Sequence, residues 1–90
     1  MKLVQANSFK RVVKKMHPNQ KRALDMAVKT IVKNPEAGSL KKGDLADLRV
    51  CKYKFSGQQY LLGYSYDAAE QVIALVAIGP HESFYRDIKR

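Results

Sequence analysis

Apolar positions along this chain change period once, near its middle. In the first part they recur at helical spacing. Phe9, Val12, Val13 and Met16 fall three, four and seven positions apart, with Lys10, Arg11, Lys14 and Lys15 on the remaining face. This predicts a helix with one buried stripe and one basic side, capped by Asn7 or Ser8, whose short polar side chains can accept from the free amides of a first turn. His17-Pro18-Asn19 breaks it, because a residue before proline is pushed out of the helical region. A second helix is expected from Pro18 or Asn19 to about Asn34, with Leu24, Ala27, Val28 and Ile31 as its apolar face and Pro35 as its stop. The two form an antiparallel helix hairpin with basic outer surfaces.

Residues 35–44 (PEAGSLKKGD) are rich in turn formers and read as a surface loop. The period then becomes two. Residues 45–55 alternate, Ser56-Gly57 turns, 59–66 form a tyrosine-rich strand, 67–70 turn again, and 71–78 form a third strand. Such short connections predict an antiparallel meander. Residues 72–78 are apolar on both parities, which predicts a central strand covered on both sides. Tyr60, Leu62, Tyr64 and Tyr66 share one face, assigned here to the helices. The other face is expected to be shallow and open, because Gly63 has no side chain there. Leu3 and Val4 can add a brief strand. The expected fold is α+β: a short first strand, a helix hairpin on one face of a small antiparallel sheet, a three-strand meander, and a short C-terminal tail or helix.

Ninety residues make a single domain with one core, spanning 1–90. Charge changes the picture more than composition does. Seventeen Lys and Arg against eight Asp and Glu leave +9, which favours a polyanionic partner such as nucleic acid or an acidic protein. From Lys2 to Lys33 nine cations meet the single acid Asp25. No apolar run approaches the ~20 residues that span a bilayer, and no signal-peptide core is visible, so a cytoplasmic protein without a membrane partner is expected. The single cysteine, Cys51, reads as a small core residue. Metal-ligand spacings, glycine-rich phosphate loops and Ser/His/Asp arrangements are missing, so neither metal nor cofactor is expected.

Candidate chemistry gathers in the last part of the chain. Strand alternation points Lys52 and Lys54 the same way, and His81 and Tyr85 follow on the tail. Together they are a candidate phosphate-handling site. Plainer readings compete at each position. Strand lysines guard exposed edges, a lone tail histidine can cap a loop, and an aromatic there can simply pack on the sheet end. The basic helix faces, including Lys14 and Lys15, and the loop lysines Lys41 and Lys42 are either solvated charge or contacts to RNA phosphates.

The segments Cys51-Lys52-Tyr53-Lys54, Tyr60-Leu61-Leu62-Gly63-Tyr64 and Gly79-Pro80-His81-Glu82-Ser83-Phe84-Tyr85-Arg86, in this order, resemble the RelE/ParE superfamily of bacterial type II toxin–antitoxin toxins. The resemblance spans nearly the whole chain, and the tail is similar to the Gly-x-(Arg or His)-Glu-x-x-Tyr-Arg ending of the RelE branch. It implies a ribosome-dependent endoribonuclease that cuts messenger RNA by metal-free attack of a 2′-hydroxyl, and that is held inactive by a cognate antitoxin. Under that resemblance Lys52 and Lys54 bind the scissile phosphate or ease proton removal. His81 is the natural acid or base, since histidine is the side-chain type with a reference pKa near neutrality, about 6.5. Tyr85 stacks on a base or assists proton transfer; beside these, Arg86 can supply a phosphate contact, and Glu82 either orients His81 or only joins the tail's charge balance. Ribosomal RNA would be met by the basic faces, and operator DNA only by the toxin–antitoxin complex. One departure stands out: Leu61 occupies the position of an arginine usual in active members. Two other functions fit the same fold class: a ParE-like poison of DNA gyrase and a non-catalytic basic RNA-binding module.

Overall fold

In a computed structural model of the chain, residues 1–40, 48–82 and 84 are described. The elements in order are β1 (Lys2–Gln5), α1 (Asn7–Lys14), α2 (Pro18–Lys33), β2 (Ser39–Leu40), β3 (Arg49–Phe55), β4 (Gln58–Asp67) and β5 (Val72–Pro80). The strands form one sheet in the order β1-β5-β4-β3-β2. The expected meander is present as β3, β4 and β5, each antiparallel to the next. The short first strand runs parallel to β5, pairing Leu3 with Ile73 and Val4 with Ala74, so the sheet is mixed.

Local chemistry sets the boundaries. The cap of α1 is Ala6, in extended conformation, which corrects the expectation that Asn7 or Ser8 caps the helix. The Ala6 N–H donates to the Leu75 carbonyl at 2.9 Å, so β1 pairing runs straight into the helix and sets its start one residue before the polar pair. In α2, Pro18 takes the first helical position, where its missing N–H costs nothing, and the His17 N–H donates to Gln20 Oε1 at 3.4 Å. Between β3 and β4, Ser56 (φ 53°) and Gly57 (φ 76°) are both left-handed, as a two-residue type I′ hairpin turn requires. The loop expected over 35–44 contains β2, whose Ser39 and Leu40 pair with Val50 and Arg49. Two residues were too short a run to announce a strand.

The helices cover one face. Phe9 of α1 and Leu24, Ala27 and Ile31 of α2 pack on Leu62, Tyr64, Ile73, Leu75 and Ile78, with Tyr53 and Tyr66 at the margin. The tyrosine-bearing face is therefore the helix face, as the alternation of β4 predicts. The opposite face differs from expectation. It carries its own small cluster of Leu48, Val50, Leu61 and Phe84, with Ala77 beside it. A Cβ added to Gly63 would lie 2.9 Å from Cζ of Phe84, so the tail ring fills the gap that the glycine leaves. This part of the face is covered, not open, because an apolar ring six residues beyond the end of the β5 apolar run has nowhere better to be buried.

Strand β5 also corrects a simpler reading. The central strand is β4, and β5 lies between it and β1. Its register against β4 jumps between Gly63↔Ala77 and Tyr64↔Leu75, leaving Val76 as an extra, exposed residue. That bulge inverts the alternation, putting Ile73 and Leu75 on the helix side before it and Ile78 on the helix side after it. Apolar residues of both parities therefore reflect a change of phase as well as cover on two sides.

Candidate functional site

Directly opposed residues of antiparallel strands point to the same face, so the register defines what can meet. Lys52 opposes Leu61, and Leu61 opposes Gly79. In the next row, Lys54 opposes Gln59. Tyr60 opposes Pro80, the last residue of β5, so the chain passes into His81 beside the Gln59 end of β4. Adjacent strands lie about 4.8 Å apart, which puts the β3 and β5 ends of a row about 10 Å apart at the backbone, within reach of converging lysine and histidine side chains. The face is that of Val50 and Leu61, opposite the helices. Lys52, Lys54 and His81 are all exposed.

The covered and uncovered parts of this face adjoin. Leu61 is 0% exposed beneath the tail cluster, so the position expected to lack a phosphate-bracing cation is a core position here. Arg49 does not replace it. Its guanidinium donates to the carbonyls of Glu36 (3.4 Å) and Gly38 (3.2 Å), holding the segment before β2 on the helix side of β3. Beyond Leu61, toward Pro80, space opens among the described residues, where a Cβ at Gly79 would meet nothing within 4 Å. The tail residues His81, Glu82 and Phe84 have helical backbone, and Phe84 anchors that turn by its ring.

Groups on the helix side are held neutral. Burial, with the Tyr60 phenol and Cys51 thiol nearby, pushes the Tyr53 phenol up to about 12. Burial raises Tyr64 as well, opposed by the Gly38 amide that donates to its oxygen and by the Arg49 charge. Burial likewise raises the Cys51 thiol, whose Sγ approaches the Lys52 carbonyl at 3.9 Å. A thiol so placed is a packing group, not a nucleophile.

Of the remaining sequence-derived candidates, Lys14 and Lys15 lie exposed on or just past α1, an element of the helix side of the sheet. With Asn7, Lys10 and Arg11, Lys14 borders a shallow basic depression. Lys41, Lys42, Tyr85 and Arg86 lie outside the described residues. Two positions are not among the sequence-derived site candidates, Gln59 and Gly79. For Gln59 the signal was there: a two-residue Ser56-Gly57 turn sets Phe55 opposite Gln58, and hence Lys54 opposite Gln59. Among the described residues no group of three or more His, Cys, Asp or Glu side chains could hold a metal ion.

Two helices on one face of a small mixed sheet make up an architecture shared with small bacterial toxins. Over residues 3–89 the chain matches the ParE-like toxins of type II bacterial toxin–antitoxin systems, and it belongs to that family. Among solved structures it is similar to the toxin in the intact Escherichia coli RelBE toxin–antitoxin complex, with a TM-score of 0.71, 18% identity, and 87% of this chain and 93% of that one covered. The isolated E. coli RelE toxin is similar over 99% of this chain and 96% of that chain, with a TM-score of 0.69 and 17% identity. A conserved hypothetical protein from Helicobacter pylori follows at a TM-score of 0.56 and 20% identity, over 91% of this chain and 96% of that one. No curated protein sequence matches.

Proposed function

We propose that this toxin is an endoribonuclease that cuts messenger RNA on the ribosome and is neutralised by a cognate antitoxin. The observation that carries the proposal is the row geometry. Lys52 and Lys54 stand exposed on one face, in register with the Gly79-Pro80 end of β5 from which His81 emerges. The fold is shared with RelE, which has been solved with the antitoxin RelB.

The chemistry assigned to these residues balances without a cofactor. A base takes the proton of a nucleotide 2′-hydroxyl, and the oxygen attacks the adjacent phosphorus. The bond to the 5′-oxygen then breaks as an acid protonates that leaving group, giving a 2′,3′-cyclic phosphate and a 5′-hydroxyl end. Lys52 and Lys54 stabilise the added negative charge of the phosphorane. His81, on the tail, takes one of the proton-transfer roles. Tyr85 and Arg86 are assigned to base stacking and phosphate contact, and Lys14, Lys15, Lys41 and Lys42 to ribosomal RNA.

The test is induction in growing cells, with and without a Lys52→Ala, Lys54→Ala, His81→Ala triple change, while cut positions are mapped on a translated message. Cuts and growth arrest from the parent, both lost in the variant, are expected. Equal arrest by both proteins would remove this site from the mechanism. A second reading, poisoning of DNA gyrase, is favoured by the ParE-like description of the matched family. Inhibition of gyrase supercoiling by purified protein, with intact messages in cells, would establish it instead.

A further inference from the structure

The Lys54 row contains a polar side chain that the reaction scheme above leaves unused. Gln59 lies directly across from Lys54 and one residue before Tyr60, the partner of Pro80. Cross-strand opposition puts its carboxamide on the Lys54 face, between that lysine and the point where His81 leaves the sheet. Gln59 is half-buried, and its side-chain amide has no hydrogen-bond partner among the described residues. One row along, Gly79 leaves open space among the described residues on the same face, diagonal to Gln59. A primary amide offers two N–H donors and does not titrate, so it can hold an anionic oxygen without competing for the proton in transit.

We infer that Gln59 is a substrate-contacting residue of this site. Its Nε2–H donates to a non-bridging oxygen of a single-stranded RNA phosphodiester seated over Gly79 between Lys54 and His81. This rests on the nuclease reading for its chemistry but not for its binding geometry. Leu61, the next residue of β4 on this face, is core and offers no donor, so within that strand the donor comes from Gln59. The donor is neutral, and removing one hydrogen bond to a charged group lowers rates about tenfold to a hundredfold.

Three variants and one titration test it. Gln59→Ala should lower message cleavage on purified ribosomes about tenfold to a hundredfold. Gln59→Glu, which keeps shape but turns a donor into a like charge, should fall further. Gly79→Val, whose side chain meets no described neighbour, should weaken substrate binding by occupying the open space over that strand end. All three should melt cooperatively, near the parent temperature. In parallel, a short RNA with 2′-deoxy sugars, which cannot be cut, is titrated into labelled protein while the Gln59 side-chain amide resonances are followed. Movement of those resonances, absent with Gly79→Val, is the expected result. Wild-type cleavage rates in both Gln59 variants would overturn the inference. Should the parent itself cut nothing, the nuclease reading falls, and the titration decides the contact alone: a shifted amide upholds it and an unmoved one ends it.

Discussion

The phenol of Tyr64 satisfies two backbone groups at once. Its Oη donates to the Pro35 carbonyl at 2.8 Å and accepts from the Gly38 N–H at 3.0 Å. A Cβ at Gly38 would lie 2.7 Å from that oxygen and 3.1 Å from the Val50 carbonyl, so only glycine lets the segment lie this close. Tyr64→Phe strands a buried donor and is expected to cost about 1–3 kcal/mol. Gly38→Ala overpacks the same spot at a similar cost of about 1–3 kcal/mol. Thermal melts of the single and double variants check both, and non-additive losses are expected because the two residues touch. Tyr53 gives a pH signature. Its folded pKa of about 12 lies above the ordinary 10.0, so between these values the folded chain keeps a proton that the unfolded chain has released. Its contribution is complete below about pH 10 and is lost as pH rises toward about 12. Denaturant titrations at successive alkaline pH values should show this decline, and Tyr53→Phe should lessen it, leaving the part due to Tyr64 and Cys51.

Among the elements, the β3-β4 hairpin is the most directly encoded and the most easily improved. Ser56 occupies a left-handed conformation that costs an ordinary L-residue about 1–2 kcal/mol. Ser56→Asn installs the Asn-Gly pair favoured in type I′ turns and should raise the melting temperature, by about 2–6 °C if about 0.5–1 kcal/mol is recovered. The same turn shows what the sequence made legible. Two-residue loops fix register, so the pairing of Lys54 with Gln59 was available by counting, as was the tyrosine face of β4 from strict alternation. Other features followed from long-range contacts that no local pattern carries. Ala6 caps α1 because β1 pairing reaches it, Ser39 and Leu40 become a strand only because Arg49 and Val50 lie alongside, and Leu61 is core only because Phe84 folds back over it. The Lys52 and Lys54 pair was readable from period-two spacing, whereas the space over Gly79 required the register of three strands.

The molecule as a whole separates its charge from its core. Cations line the exposed faces of both helices and one end of the opposite sheet face, while the buried set includes no charged side chain among the described residues and its phenol, Tyr64, is hydrogen-bonded. A +9 surface of this kind should bind single-stranded RNA with a strong ionic-strength dependence. With about four phosphates neutralised, affinity is expected to fall about fiftyfold between about 50 and about 200 mM salt. Fluorescence anisotropy across that range gives the slope, and Lys52→Ala with Lys54→Ala should make it shallower by about 1.4.

The irregularity at Val76 has a consequence for editing this chain. Because Leu75 opposes Tyr64 and Ala77 opposes Gly63, Val76 is a spacer that belongs to neither row. Removing it would join the two halves of β5 into an unbroken ladder without exchanging inner and outer residues. Removing Ile78 instead would turn every later residue over, carrying the end of the strand to the wrong side. A single-codon deletion at 76 should therefore still yield a folded protein, and one at 78 should not, as circular dichroism and melting curves of the pair would reveal. One place in the strand is thus indifferent to length while its neighbours are not.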